Sequence, residues 1–182
     1  MPHNIGVVPT APELPSEWLL RWAPLVERGP VLDVACGGGR HCRVFLERKM
    51  KVVAVDREAQ SLPPEVDFVK ADLENGSPWP FAGQRFGAIV VTNYLHRPLF
   101  AHLLDSLDEG GVLIYETFMA GNEKFGRPSN PAFLLRPGEL LQAFQALQVA
   151  GFEQGRVERP KAAMIQRLCA LRGTVERVRI PA

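Results

Sequence analysis

An apolar run from Val31 to Ala35 breaks at Cys36-Gly37-Gly38-Gly39, and from Arg40 the spacing of Val44, Phe45 and Leu46 turns helical as far as Lys49. A second apolar run, Lys51 to Val55, follows at once and closes on Asp56. Strand, glycine turn, helix and strand make one βαβ unit, which commits the chain to an α/β fold built on a parallel sheet. The glycines stand where the first strand must turn tightly into the helix. Their missing Cβ atoms let the backbone approach a ligand closely.

The chemistry of the turn excludes two ligand classes. It lacks the Gly-Lys-Ser/Thr ending of a phosphate loop. It also lacks the dinucleotide spacing Gly-x-Gly-x-x-Gly, because Cys42 stands three residues after Gly39 and His41 three after Gly38. A pyrophosphate needs a free helix N-terminus with no carboxylate beside it, yet Asp33 lies just before the turn. A carboxylate there suits a ligand with an ammonium group and no phosphate. A second acid, Asp56, ends the next strand, where a βαβ nucleoside site places an acceptor for both ribose hydroxyls. A third, Asp72, follows the strand Val66 to Lys70. It can accept amino hydrogens of a purine while Ala71 or Leu73 packs on the ring. All three acids fall just past strand C-terminal ends, the edge at which open α/β sheets bind ligands.

The rest of the chain extends the pattern. Residues 1–15 hold four prolines without periodicity and read as an irregular arm, leaving residues 16–182 as a single domain. Ser16 is a candidate N-cap for a helix carrying Trp18, Leu19, Trp22, Leu25 and Val26, ending near Gly29-Pro30. Gly76, Pro78, Pro80 and Gly83 make residues 71–85 a loop rather than a crossover helix. Phe86 to Thr92 reads as a buried strand and Pro98 to Leu107 as a helix. Asp108 to Gly111 then turns into a fifth strand, Val112 to Glu116. Pro137 suits the first position of a helix running to Ala150, with Gly151 as its stop. Phe152 to Glu158 and Met164 to Leu171 form an antiparallel pair at the sheet edge.

In this order of elements, and in residues 31–41 with Asp56 and Asp72, the chain resembles the class I S-adenosylmethionine (SAM)-dependent methyltransferases, a Rossmann-like superfamily. Its Cys-Gly-Gly-Gly-Arg-His turn is similar to that of small bacterial enzymes related to the tellurite-resistance methyltransferases. The resemblance implies a seven-stranded, mostly parallel sheet of order 3-2-1-4-5-7-6 with helices on both faces, SAM as cofactor, and methyl transfer to an acceptor. The implied cofactor contacts at the first turn are Asp33, Ala35, Cys36, Gly37, Gly39 and Arg40, with Arg40 meeting the SAM carboxylate. Asp56 and Arg57 follow at the second strand, Ala71, Asp72 and Leu73 at the third, and Asn93 at the fourth. Two departures stand out. The third strand follows the second so closely that any helix between them must be very short, and the crossover before the fourth strand is a loop.

The acceptor side rests on Thr92-Asn93-Tyr94-Leu95-His96-Arg97-Pro98, which in the superfamily lies beside the transferable methyl. Asn93, Tyr94 and His96 are the candidate catalytic residues. His96 is either a general base, since its unperturbed pKa lies near working pH, or a cap at the start of the next helix. Arg97 either binds an anionic acceptor or is solvated. The Asn-Pro-Pro-Tyr quartet typical of nucleobase and amide N-methylation is absent, which argues against the exocyclic amine of adenine as acceptor. Residues 119–131, rich in Gly, Asn and Pro, read as a mobile lid or as a structured loop over the sheet edge. In the lid reading Phe118 and Phe125 shape the pocket, and Asn122, Arg127 or Asn130 orients the acceptor.

A net charge of +1 and the lack of an appended RNA-binding module favour a small-molecule acceptor over nucleic acid. The series Arg167, Arg172, Arg177 and Arg179 reads as the wet face of edge strands. An RNA or protein methyltransferase and a non-catalytic SAM-binding protein are the alternatives. A nicotinamide oxidoreductase is disfavoured by the turn and by Asp33. Cys36, Cys42 and Cys169 lack zinc spacing, so no metal is expected. No apolar stretch approaches the ~18 residues of a membrane span, and residues 1–15 lack a secretion pattern. The cytoplasm is the expected compartment, with no membrane partner, as a monomer or a homodimer.

Overall fold

Strands covered on both faces have no wet side to pattern, so their sequences become continuous apolar runs. That is why β1 (Val31–Val34) and β4 (Phe86–Thr92), buried at every residue, sit at the centre of the sheet. The computed structural model describes residues 14–176 and Val178, so the expected arm lies outside the described residues for positions 1–13. With β2 (Val52–Asp56), β3 (Val66–Lys70), β5 (Leu107–Phe118), β6 (Gln148–Val157) and β7 (Ala163–Leu171), the strands form one sheet of order β3-β2-β1-β4-β5-β7-β6. The first five are parallel, and β7 runs antiparallel to both β5 and β6. This is the order expected above. Register aligns Val34 with Val55 and with Val91, and Val55 with Val69. The residues that follow each strand therefore emerge side by side along one edge.

Among the described residues, four short α-helices cover the two faces. α1 (Glu17–Trp22) and α2 (Arg40–Glu47) bring Trp18, Leu19, Trp22, Cys42 and Phe45 into one apolar cluster with Val31, Val52, Ala54, Ala88 and Val90. α3 (Leu99–Ser106) and α4 (Glu139–Ala143) bring Leu99, Leu103 and Leu140 to the opposite cluster with Leu32, Val53, Ile89 and Leu113. Each fully buried Phe or Leu of this kind contributes about 1.5–3 kcal/mol relative to exposure. Residues 71–85 are a loop, as expected, and their Trp79 and Phe81 fill the second cluster where a crossover helix would pack. The Trp79 Nε1 donates to Ser106 Oγ at 2.9 Å, which satisfies the one polar atom this substitute brings inside.

Several boundaries differ from expectation, each for a tertiary reason. The Ser16 side chain does cap α1, accepting from the Leu19 N–H at 3.3 Å. The α-helix stops at Trp22, and a single 3₁₀ turn over Ala23–Leu25, carrying Pro24, replaces the expected continuation. Between β2 and β3 the chain is irregular, with no helix even of the short kind expected. β5 begins at Leu107 instead of Val112, because residues 108–111 continue the strand past an irregularity opposite Phe86 and Ala88. α4 ends at Ala143, and β6 starts at Gln148, so Ala150 and Gly151 lie in a strand. Gly151 is no helix stop. A Cβ there would sit 2.3 Å from Cζ2 of Trp22, so glycine is what lets α1 lay its tryptophan across β6. Arg167 is not on a wet edge either. β7 is an inner strand, and the Arg167 guanidinium lies over the Trp18 ring and pairs with Glu116 and Glu153. Arg177 and Arg179 lie outside the described residues.

Candidate active site

The turn after β1 is held from both ends. The Cys36 N–H donates to the Val55 carbonyl at 3.1 Å, and the Gly37 N–H donates to Asp56 Oδ2 at 3.0 Å. Asp56 Oδ1 accepts from the Glu58 N–H at 3.0 Å, so the same carboxylate fixes both the turn and the exit from β2. Three residues of the turn take the left-handed region: Ala35 (φ 55°), Gly37 (φ 49°) and Gly39 (φ 70°), the last as N-cap of α2. Only glycine adopts that region without cost. A Cβ on Gly37 would meet no protein atom within 4 Å, whereas one on Gly39 would sit 2.4 Å from Leu62 Cδ2.

Beneath the turn lies Asp33, 2 % exposed. Its Oδ2 accepts from the Cys42 thiol at 3.3 Å, and its Oδ1 has no partner. Burial pushes its carboxyl up from 3.8 to about 7, against the Cys42 hydrogen bond and the charge of Arg40, which pull it down. A buried carboxylate one bond short is costly unless a donor reaches it. His41, the next residue of α2, is also buried. Its Nε2 accepts from the Ser16 N–H at 3.2 Å and its Nδ1 meets Thr92 Oγ1 at 3.1 Å, tying α1, α2 and the end of β4 together.

Two clefts open side by side along this edge. The first, of about 210 Å³, is lined by Ala35, Asp56, Arg57, Ala71, Asp72, Leu73, Glu74 and Tyr94. Every one of these except Glu74 was singled out from sequence. Cys36, Gly37, Gly39 and Arg40 form the turn above Asp33 and do not line that wall. Asp72 Oδ1 accepts from the Glu74 N–H at 2.9 Å, a turn that sets Glu74 at the rim. The second cleft, of about 300 Å³, is lined by Arg57, Glu74, Asn93, Tyr94, Leu95, Thr117, Phe118, Pro128 and Phe133. Arg57, Glu74 and Tyr94 border both spaces.

Tyr94 is held on this boundary by a bond to its backbone, its carbonyl accepting from the Tyr115 hydroxyl at 3.0 Å. Its phenol shares the walls of both clefts with Glu74. Burial, together with the charge of Glu74, holds the Tyr94 phenol protonated well above its ordinary range. Beside it Asn93 is held at φ 55°, its N–H donating to the Glu116 carbonyl at 2.9 Å. A non-glycine residue kept left-handed by its surroundings is a common mark of a functional site. His96 lines neither cleft, and its carbonyl accepts from the Leu99 N–H at the start of α3.

Residues 31–111 match a family described as a methyltransferase domain. The matched segment is a little under half of the chain. It holds the glycine turn, all three acids and Tyr94. The trans-aconitate 2-methyltransferase of Rhodopseudomonas palustris (strain HaA2) is 32% identical over 110 residues, covering 54% of this chain and 42% of that protein. The trans-aconitate 2-methyltransferase of a Rhizobium etli strain is 32% identical over 128 residues, covering 65% of this chain and 48% of that one. The chain thus spans less than half the length of these relatives. Among solved structures, TehB from Haemophilus influenzae superposes with a TM-score of 0.68 at 13% identity, covering 85% of this chain and 61% of its own. A 1,6-didemethyltoxoflavin-N1-methyltransferase from Burkholderia thailandensis superposes with a TM-score of 0.61 at 21% identity, covering 86% and 76%. The fold is the class I, Rossmann-like methyltransferase fold.

Beyond the matched segment, residues 119–135 complete the second cleft. Met119 bridges Leu135, and the side chain of Asn122, 1 % exposed, bonds in two directions. Its Nδ2 donates to the Pro128 carbonyl at 3.0 Å and its Oδ1 accepts from the Met164 N–H at 3.1 Å. Asn122 is therefore a buried peg of the loop and does not face a ligand. Asn130 is likewise local, its Oδ1 capping the 3₁₀ turn Pro131–Phe133. Phe125 turns away from the cleft, under the Arg156 guanidinium at 5.0 Å from its ring centre. Arg127 lines neither cleft. The loop residues that do reach the second cleft are Pro128 and Phe133, with Phe118 from β5. Arg97 is neither solvated nor a ligand-binding cation. It pairs with Glu139 at 2.6 Å and donates to the carbonyls of Ala132 and Leu134 at 2.7 and 2.9 Å. No helix of the described residues is long and apolar enough to cross a membrane.

Proposed function

We propose that the chain is a SAM-dependent methyltransferase that holds the cofactor in the first cleft and a small-molecule acceptor in the second. The observation that carries this reading is the boundary of Tyr94, Glu74 and Arg57 shared by two clefts at the C-terminal edge of the parallel strands, in or beside the segment that resembles a methyltransferase domain. Two features fit the cofactor. The orphan Oδ1 of Asp33 calls for a cationic donor such as the ammonium of a methionine moiety. The open space off Gly37 gives that moiety room against the backbone. Asp56 spends one oxygen on each of two backbone N–H groups and keeps lone pairs for the ribose hydroxyls. Asp72 and Leu73 serve the adenine, and Arg40 the cofactor carboxylate.

When bound, the cofactor supplies an electrophilic methyl on a sulfonium sulfur, so the protein needs no acid to activate it. The protein's share is to align an acceptor with that methyl and to keep water out. Tyr94 and Asn93 define the passage between the clefts, while Phe118, Pro128 and Phe133 close the far side. With His96 outside both clefts, Glu74 is the ionisable group best placed to take a proton from the acceptor. A second reading, trans-aconitate as acceptor, has the relatives' names in its favour and, against it, a second cleft whose lining cation, Arg57, is exposed and lies beside Glu58.

Calorimetry of the purified chain against SAM, S-adenosylhomocysteine and NADH tests the cofactor. The two adenosyl ligands should bind and NADH should not. Transfer of labelled methyl to a small-molecule fraction of cell extract, insensitive to nuclease, tests the activity. Label appearing only in RNA or protein would refute the small-molecule reading.

A further inference from the structure

The second cleft has a wall chemistry that the glycine turn and the three acids do not explain. Phe118, Pro128 and Phe133 give it flat apolar surfaces, and its charged lining is one cation, Arg57, and one anion, Glu74. Arg57 is a poor anion anchor. Its side chain is 72% exposed, lies 3.7 Å from Glu58, and borders Asp56 and Asp72 in the neighbouring cleft. Arg97, just ahead of α3, has its guanidinium committed to Glu139 and two carbonyls. Carboxylates are recognised by forked, well-oriented guanidinium pairs, and the cleft offers none. Glu74, by contrast, is fixed at its backbone by the Asp72 turn and lines both clefts beside Tyr94. A carboxylate has about four lone-pair sites, so it has capacity for a donor on the acceptor.

We propose that this cleft takes a flat, neutral or cationic acceptor that presents an N–H or O–H to Glu74, and that it rejects polycarboxylates. The proposal rests on the reading of the chain as a SAM-dependent methyltransferase. In the transfer, a lone pair on the acceptor nitrogen or oxygen forms the new bond to the methyl carbon. The carbon–sulfur bond breaks and its electron pair stays on sulfur, leaving a neutral thioether. The acceptor's proton passes to the Glu74 carboxylate and from that exposed side chain to solvent. A polycarboxylate would instead set several negative charges against Glu74, with only the exposed Arg57 to offset them. Phe118, Pro128 and Phe133 lie outside the segment 31–111, so this wall is supplied by a part of the chain separate from the methyltransferase-domain match.

The test is calorimetry on the whole chain in two stages. S-adenosylhomocysteine is titrated first. If it does not bind, the cofactor reading fails and takes this proposal with it. Against the chain saturated with S-adenosylhomocysteine, tryptamine and tyramine are then compared with trans-aconitate and citrate. At least one amine should bind tenfold or more tightly than either polycarboxylate. Glu74→Gln, which keeps the size of the side chain and removes its charge, should weaken that amine by about tenfold or more. Three results would overturn the proposal while leaving the cofactor reading standing: a polycarboxylate binding as tightly as the amines, neither amine binding, or Glu74→Gln leaving amine affinity unchanged.

Discussion

The Tyr115 hydroxyl donates to the Tyr94 carbonyl across 3.0 Å, from a ring that is itself 1 % exposed. A core residue of β5 thereby sets the height of the loop residue that divides the two clefts. Tyr115→Phe keeps the ring against Phe100 and Phe144 and deletes this single bond. Stability should fall by about 0.5–1.5 kcal/mol, read by urea denaturation. Acceptor turnover should fall further than S-adenosylhomocysteine affinity, because the bond acts on the boundary and not on the ribose side. Unchanged turnover would show that Tyr94 needs no such support.

Asp56 is asked to do two things at once. Asp56→Ala removes the acceptor for the Gly37 and Glu58 N–H groups, and with it the ribose contact proposed above. S-adenosylhomocysteine affinity should weaken by about 1.5–3 kcal/mol. Asp56→Asn retains one carbonyl acceptor and should fall between the two. Calorimetry on folded variants checks both, and a full-affinity Asp56→Ala protein would remove Asp56 from the ribose role.

Asp33 gives the protein an inverted pH dependence. Its carboxyl is raised from 3.8 to about 7 by burial. Below pH 4 both folded and unfolded chains hold the proton, and the site costs nothing. Between pH 4 and 7 the folded chain binds the proton more tightly than the unfolded one. Its contribution to stability is therefore lost as pH rises through that window, and the penalty is complete above about pH 7. His41, lowered by burial from 6.5 to about 3, works the other way, destabilising the fold as pH falls below 6.5. The difference between wild type and Asp33→Asn isolates the carboxylate. That variant should gain stability relative to wild type on going from pH 5 to pH 8 without ligand, in paired denaturant titrations. Cofactor binding to wild type should tighten over the same interval, since an ammonium prefers the ionised form.

The turn, the acids and most of the first cleft were legible because they are local. A strand ends, an acid follows, and the register of a parallel sheet brings those ends together. What escaped was set by distant partners. Glu74 reads as one more acid in a turn until the fold sets it in the lining of both clefts. Gly151 looks like a helix stop because nothing nearby in sequence mentions Trp22, whose ring forbids a Cβ there. Phe125 has the composition of a pocket residue, but Arg156 draws it to the other side of the loop. Arg97 looks solvated because its partners, Ala132, Leu134 and Glu139, lie 35 to 42 residues downstream.

That arginine supports a stability prediction. Glu139 is 5 % exposed and depends on Arg97 and on the Arg136 N–H for its charge. Arg97→Ala strands the carboxylate and frees the backbone of residues 132–134. The loss should be roughly 2–4 kcal/mol, near the range for a broken buried pair and reduced by the exposure of the arginine. Arg97→Lys should recover little, because a single ammonium cannot reproduce the fork on one carboxylate and two carbonyls. Denaturation curves of the two variants check this, and a fully rescued lysine variant would count against the forked geometry.

The segment 119–131 has the composition of a loosely held lid, but Asn122 argues for a loop already closed. Its amide side chain is buried and both of its ends are bonded, to Pro128 across the loop and to Met164 on β7. Its carbonyl also receives the N–H groups of Phe125 and Gly126, at 2.8 and 3.2 Å. Lifting the loop off β7 must break the Met164 bond and unpair a buried amide oxygen, and unravelling it must break the others as well, at about 1–3 kcal/mol for each unsatisfied group. The amides of Phe125 and Gly126 should therefore be protected from hydrogen exchange even without ligand. Asn122→Ala removes the peg while leaving the sheet and both acid-bearing strand ends in place. In that variant the two amides should exchange at least tenfold faster, and amides within β1 should keep their wild-type rates. Acceptor turnover should drop with little change in S-adenosylhomocysteine affinity, since Pro128 and Phe133 belong to the second cleft and not to the first. Rapid exchange at Phe125 and Gly126 in the wild-type protein, slowed only by adding S-adenosylhomocysteine, would instead restore the ligand-ordered lid that the glycines and prolines suggest.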